Sequence, residues 1–391
     1  LQALDNIRVL DLTRILTGPF CTMMLADFGA DVIKIEPPAG DDTRRWGPPF
    51  INGESAYYLS VNRNKRSIIL DFRQERDRQR FLKMVEQADV VVENYRPGTL
   101  AKWGFDYPHL KAINPRIILA SISGFGATGP GASRPGYDVV AQAMSGLMAV
   151  TGDGSGPVKA GFSVGDIGAG MWAAFGIMTA LWARERTGEG QWIDTSLYEA
   201  LISWQTYLAG NYFATGELPK PLGSAHPNIA PYQAVRAQDG YLVIACGNDA
   251  LWAKMVQECE IPFGDEPQFR TNPDRVEHRP ELIDRLENEV FQHRPVAEWL
   301  ERLARAGVPA APIQSFEQVF QDPQVIHRAM DVVVDHPTAG PIHQLGIPLK
   351  MSATPGAVRT PPPLLNQHEG EILRQFGLSG PVPEDDAATH P

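Results

Sequence analysis

The stretch IRVLDLTRILTGPFCTMMLADFGADVIKIE, residues 7–36, decides the fold. IRVLDL (7–12) reads as a strand, GPFCTMMLADFG (18–29) as a helix and DVIKIE (31–36) as a second strand. Both strands are short runs of branched residues without clean alternation, the pattern of a strand buried on both faces. A strand, a helix and a strand in this order imply a parallel pair joined by a right-handed crossover. Working outward, the pattern repeats. KRSIILDF (65–72) reads as a strand, RQERDRQRFLKMVEQAD (73–89) as an amphipathic helix, and ADVVVEN (88–94) and RIILASIS (116–123) as strands. The first strand-to-helix turn, LTRILTGPF (12–20), contains only Gly18 where a dinucleotide fold requires GxGxxG. No Walker A sequence occurs either, so standard NAD and nucleoside-triphosphate sites are excluded.

Downstream, two helical segments are expected at 169–185 and 197–214. GELPKPLGSAHPNIAP (216–231) then breaks the pattern as a linker. YQAVRAQDGYLVIACG (232–247) reads as a hairpin turning at Gln238–Asp239–Gly240, and helices follow at PELIDRLENEVFQ (280–292) and VAEWLERLARAG (296–307). DVVVDHPTAGPIHQLGIPLKMS (331–352) reads as short strands, followed by a Pro-rich stretch and a last short helix. The tail from about 380 is acidic and expected to fray. The expected fold class is α/β: a large Rossmann-like domain with a parallel sheet and a smaller α+β domain. Residues 1–215 form the N-terminal part of the large domain, 216–325 the linker and small domain, and 326–391 a return to the large domain.

The 391 residues carry a net charge of −11, which argues against broad nucleic-acid binding. A local basic pocket for an anionic small molecule is compatible with that sign. Three cysteines, Cys21, Cys246 and Cys259, form no CxxC pair, and the nine histidines form no metal-binding motif, so no structural metal is expected. The longest apolar run, 171–183, is shorter than the ~20 residues a membrane span needs. No leader is visible ahead of the first strand, and a reducing, cytoplasmic location is expected.

GFSVGDIGAG, residues 161–170, sets Asp166 among glycines. An Asp at this place ordinarily caps the following helix, and the glycines ordinarily permit tight packing. The chemical alternative is a nucleophile. An unperturbed Asp, with pKa ~3.9, is ionised at neutral pH and needs no general base. Desolvated against a thioester carbonyl, it would give a mixed anhydride, and Gly backbone N–H groups could hold the oxyanion. No GxSxG elbow is present to supply a competing nucleophile.

Several blocks together resemble the class III (CaiB/BaiF-type) coenzyme A transferases, the family of formyl-CoA transferase and carnitine CoA-transferase. They are residues 8–44, NRNKRSIILDF (62–72), VVENYRPGTLAKWGFDY (91–107), NPRIILASISGFGATGP (114–130), RPGYDVVAQAMSG (134–146) and GFSVGDIGAG. The resemblance implies homodimers of interlocked rings, no permanently bound cofactor, and coenzyme A and acyl-CoA as substrates. It implies that Asp166 carries acyl-anhydride and aspartyl-CoA intermediates as CoA passes from a donor to an acceptor acid. It also implies that Arg14, Ile15, Leu16 and Thr17 line the CoA and acyl site. Leu70, Phe72 and Arg73 would edge the adenine and phosphate region, Asn94, Tyr95 and Arg96 would turn over the pantetheine, and Lys102 would meet a phosphate. RILT (14–17) is less polar than the formyl-CoA transferase version, against an oxalate-like substrate, and Pro37–Pro38 stand where some members carry an arginine.

Racemases of the same fold use a His–Asp pair, and Tyr137 stands at the His position here, a poor base at neutral pH. Tyr137 is therefore expected to bind substrate. The segments GSAHPNIAPYQAVRAQDGYLVIACGND, RAGVPAAPI and PPPLLNQH most resemble the succinate–hydroxymethylglutarate branch, which moves CoA between dicarboxylic acids. A distal carboxylate needs a cation. Arg14, Arg63, Lys65 and Arg66 are the candidates, Arg63 and Arg14 ahead of the others, and His226 is a further candidate contact. The expectation is a CoA-transferase acting on an acyl-CoA, such as succinyl-CoA, and a small carboxylic acid. A same-fold racemase and a non-catalytic CoA-binding protein remain as alternatives.

Overall fold

A computed structural model of the chain describes residues 1–378; the tail expected to fray lies outside the described residues. The chain divides into two units. One holds residues 1–147, 160–207 and 323 onward, the other residues 148–159 and 208–322.

The first unit is built on six strands: β1 (Arg8–Asp11), β2 (Asp31–Glu36), β3 (Lys65–Ile69), β4 (Val90–Glu93), β5 (Ile118–Ser123) and β6 (Trp192–Ser196). All pair in parallel, in the order β3-β2-β1-β4-β5-β6. The register sets Leu10 opposite Ile33 on one side and Val91 on the other. Val9, Val32, Val90 and Val92 face one core, while Leu10, Ile33 and Val91 face the other. Two buried faces explain why these strands show no alternation in sequence. The helices are α1 (Thr17–Asp27), α2 (Glu75–Val85), α3 (Asp138–Met144), α4 (Val164–Thr187) and α5 (Leu197–Ser203). Cys21 and Leu25 of α1 and Ala169, Ala173 and Ile177 of α4 fill the first core; Phe81, Met84 and Val85 of α2 enter the second.

Strand order reverses between β1 and β4. The chain leaves β1 toward β2 on one side and leaves β4 toward β5 on the other, which opens a crevice beyond their carboxyl ends. The C-terminal return adds the antiparallel pair β10 (Asp331–His336) and β11 (Gly340–Leu345) and a closing helix, α7 (Glu369–Gln375). Ile372 of α7 joins the second core.

In the second unit, β7 (Tyr232–Arg236) and β8 (Tyr241–Ala245) form the expected hairpin, closed by Ala237 N–H donating to Gly240 O at 2.8 Å. A short β9 (Ala310–Pro312) pairs on the other side of β8. Trp252, Phe263, Phe269, Phe291 and Trp299 build its core. The expected helix over 197–214 is divided at Trp204–Gln205 into α5 and α6 (Thr206–Thr215). The helix after Asp166 is longer than its apolar run. At 24 residues α4 has the length and hydropathy of a membrane span, but half of that window is buried inside the protein.

Candidate active site

Asp166 does not cap α4. Ser163 holds the N-cap position without a side-chain cap bond, and Asp166 sits in the first turn. The orphan N–H of Gly165 is satisfied by Asp138, whose Oδ1 accepts it at 2.7 Å. A Cβ at Gly165 would lie 2.9 Å from that same oxygen, so only glycine admits the Asp138 carboxylate here. A Cβ at Gly170 would meet Thr17 O at 2.7 Å, so glycine also lets the start of α1 lie directly on α4. The glycines around Asp166 therefore serve close packing, and the Gly165 N–H, engaged by Asp138, is not free for an oxyanion.

That packing brings Thr17 to Asp166: the Thr17 hydroxyl donates to Asp166 Oδ1. Burial pushes the Asp166 carboxyl up from 3.8 to about 6. The Thr17 hydrogen bond pulls against this and the negative charge of Asp138 adds to it. The carboxylate is thus more basic than the free residue and remains mostly ionised at pH 7. Asp138 is itself fixed, its Oδ2 accepting Gln142 Nε2 at 2.6 Å. Tyr57 faces the same carboxylates. Its hydroxyl is raised to about 12, first by burial and then by the charges of Asp166, Asp41 and Asp138.

The loop between β1 and α1 is held from beneath by buried charges. Lys34 Nζ donates to Thr13 O and to Asp41 Oδ2, both at 2.9 Å. Lys65 Nζ donates to Pro19 O and Asp11 Oδ2, both at 3.0 Å. Asp41 also accepts the N–H of Ile15, a residue in the left-handed region at φ 72°. Asn94, just past β4, closes the loop from above: its Nδ2 donates to Arg14 O at 2.7 Å and its Oδ1 accepts Arg14 N–H at 2.9 Å. Burial of Lys65 lowers its ammonium to about 8, with Asp11 opposing.

These elements wall a cavity of about 430 Å³ that Asp166, Thr17, Arg14, Ile15, Asn94 and Tyr137 line. Tyr95 and Arg96 belong to the same wall. Leu16 does not line it; it is the half-buried N-cap residue of α1. Leu70, Phe72 and Arg73 line a neighbouring cavity of about 280 Å³, which Arg14 and Tyr95 share. Most of the residues that the resemblance implies, all but Leu16 and Lys102, therefore meet in two adjoining cavities. Within the second, Phe72 is also a core residue, packed edge-on against Phe81 and Phe105 with ring centroids 5.4 and 5.0 Å apart. Arg73 is exposed and pairs with Asp71 at 2.8 Å. Lys102 is exposed in the short helix Thr99–Trp103 and lines neither cavity.

Three cation expectations are corrected. Arg63 is 3% exposed, and its guanidinium is spent on Asp27, in a two-point pair at 3.0 and 2.7 Å, and on Leu345 O. Buried in this pair and lining neither cavity, it is not placed to meet a substrate. Lys65 and Arg66 are likewise occupied, by Asp11 and by Asp31. Arg14 does reach the cavity, paired with Asp42. His226 belongs to the second unit, where its Nδ1 accepts Asn228 N–H at 3.1 Å and its ring packs on Tyr232. Sequence reasoning missed Arg134, which lines the larger cavity and stacks over Phe125 at 5.3 Å. It also missed Asp138 and Tyr57. Asp138 was legible as the residue after Tyr137, but nothing in the sequence joins it to Gly165. Among the described residues no cluster suited to a metal ion occurs.

The pattern described as CoA-transferase family III matches residues 4–369. Succinyl-CoA:glutarate CoA-transferase of Mus musculus is 43% identical over 378 residues, 96% of this chain and 86% of that protein. Succinate–glutarate CoA-transferase of Agrobacterium fabrum is 40% identical over 382 residues, 95% of each. Among solved structures, a CAIB/BAIF family protein from Brucella suis superposes with a TM-score of 0.84 at 43% identity, covering 96% of this chain and 99% of that one.

Proposed function

The chain belongs to CoA-transferase family III and is a CoA-transferase, and from that premise we propose that it moves CoA from a dicarboxylyl-CoA such as succinyl-CoA to a carboxylic acid through covalent intermediates on Asp166. One observation carries the reading. Asp166 is a partly buried carboxylate with a raised pKa and no cation paired to it among the described residues, and it opens onto the cavity of about 430 Å³. Such a group is ionised at neutral pH yet poorly solvated, which is what a carboxylate nucleophile requires.

The atoms balance in four steps. The Asp166 carboxylate attacks the thioester carbonyl; the C–S bond breaks and CoA leaves as thiolate, giving an aspartyl–acyl anhydride. The thiolate attacks the aspartyl carbonyl and expels the donor acid, leaving an aspartyl-CoA thioester. The acceptor carboxylate attacks that carbonyl and releases the thiolate, forming a second anhydride. The thiolate then attacks the acceptor's acyl carbon and restores the Asp166 carboxylate. Arg14, Arg96 and Arg134 line the cavity and supply positive charge for phosphates and for a distal carboxylate. A racemase reading lacks its second base, since Tyr137 stands where the imidazole would be. Self-association with a second copy is part of the proposal: Trp172, Phe175 and Trp182 lie on one face of α4 and are exposed by 42, 64 and 68%.

Incubation with succinyl-CoA, quenching with hydroxylamine and peptide mapping should give a hydroxamate on the peptide that contains Asp166. Asp166→Ala should abolish transfer while CoA still binds. Transfer that survives Asp166→Ala would sink the nucleophile assignment.

A further inference from the structure

We propose that Thr17 is a positioning residue for the reaction: its hydroxyl holds the nucleophilic carboxylate of Asp166 in one orientation and stabilises it as the anion. The inference rests on the reading of Asp166 as nucleophile. It starts from the hydrogen bond in which the Thr17 hydroxyl donates to Asp166 Oδ1, between residues 149 positions apart. Thr17 is 4% exposed, and its branched side chain is held by packing rather than by water. The backbone beneath it is fixed on every side. Thr17 O lies only 2.7 Å from where a Cβ at Gly170 would stand, Ile15 N–H is held by Asp41, and the carbonyls of Thr13 and Pro19 are held by Lys34 and Lys65. Phe20 N–H donates to Leu16 O at 2.8 Å and starts the helix there. A hydroxyl on so rigid a base is a preorganised donor, and a donor to a carboxylate is of the stronger, charge-assisted kind.

The remaining neighbours of Asp166 do not duplicate this role. Asp138 repels the anion, and the Tyr57 hydroxyl, kept neutral by burial and by the charges of Asp166, Asp41 and Asp138, makes no hydrogen bond to the carboxylate. Arg14, Arg96, Arg134 and Tyr137 line the same cavity, but none hydrogen-bonds the carboxylate. Thr17 is thus the one side-chain donor to Asp166 among the described residues. With it, attack proceeds from the free Oδ2 while Oδ1 is tethered. Without it, burial and Asp138 act unopposed, and the carboxyl takes up its proton at higher pH.

The test compares wild type, Thr17→Val, Thr17→Ser and Asp166→Ala as full-length protein, with succinyl-CoA as donor and glutarate as acceptor. Measured are kcat and KM across pH 5–9, and CoA affinity. Valine keeps the shape and removes the donor, and serine keeps the donor. We expect Thr17→Val to move the acidic limb of kcat up by about one pH unit, the worth of a hydrogen bond to a charge. Its kcat at pH 7 should fall about tenfold and partly recover at pH 9, with KM for succinyl-CoA within about twofold of wild type. Thr17→Ser should restore the wild-type limb. A Thr17→Val profile that superimposes on wild type, with Asp166→Ala inactive, overturns the inference alone. A Thr17→Ser variant as impaired as valine shows that the methyl packing matters and overturns it too. Should Thr17→Val bind CoA poorly, Thr17→Ala makes the same comparison. Activity surviving in Asp166→Ala overturns both the inference and the reading beneath it.

Discussion

Asp166, the carboxylate we propose as nucleophile, works against its own fold. Its folded pKa, about 6, stands above its ordinary value of 3.8, with burial the largest cause. Between those values the folded chain binds more protons than the unfolded one, so this group's contribution to stability improves as pH falls from about 6 toward 4. At pH 7 the charge is a burden. Asp166→Asn removes it and keeps an oxygen for Thr17. Discounted for partial exposure, the gain should be ~1–2 kcal/mol at pH 7 and near zero at pH 4, with transfer abolished. Urea unfolding at the two pH values measures it. A variant less stable at pH 7 would mean that the carboxylate is held by a favourable partner. Asp166 stands out in the sequence because the glycines around it are sequence-local. Its environment does not. Thr17 and Asp138 reach it only through the tertiary fold and shift its proton affinity, and Tyr57, equally remote in sequence, has its own hydroxyl raised by the Asp166 charge. Arg63 failed as a candidate for the same reason, since the Asp27 that consumes it lies 36 residues away.

At the scale of elements, the contact of α1 with α4 decides the geometry of the site, and Gly170 sets its closeness. Alanine there gains about 1 kcal/mol of helix propensity. Its Cβ would lie 2.7 Å from Thr17 O, a backbone atom that moves only with the whole of α1. Overpacking of that kind costs about 1–3 kcal/mol, so the clash wins. Gly170→Ala should lower stability by ~1 kcal/mol and lower kcat by more than the folded fraction explains, because Thr17 moves off Asp166. A variant more stable than wild type would show the helices to be loosely apposed. Sequence alone found the five strands β1 to β5, because dense branched runs bounded by polar turns leave little alternative. It missed β6, whose WIDTS alternates exposed and covered residues as the sheet's edge. It also missed the split between α5 and α6, since Ser203–Trp204–Gln205 carries no Gly or Pro to mark the break. The start of α4 was read five residues late, at 169, because glycines that permit packing resemble a loop when their neighbours are unknown.

For the whole molecule, sign and surface argue for a closed assembly around an electropositive site. The chain carries a net charge of −11, yet Arg14, Arg96 and Arg134 line the Asp166 cavity. In the reaction we propose, these cations would attract the anionic substrate locally against the overall negative sign. The same molecule exposes Trp172, Phe175 and Trp182 along α4, a face no monomer in water gains by showing. Spacings of three and seven residues set all three on one side of the helix, and its opposite side is already occupied by the first core. A second copy of this chain is the occupant we propose, in keeping with the dimers that the family resemblance implies. Light scattering should therefore give twice the 43.0 kDa of one chain. Charging that face with Phe175→Glu and Trp182→Glu together should halve the mass and lower the unfolding midpoint, since hydrophobic area returns to water. The substituted side chains leave Asp166 and Thr17 untouched. A variant that becomes monomeric and loses transfer would thus show that the site is completed by association, while a wild type that scatters as a single chain would remove the second copy from the proposal.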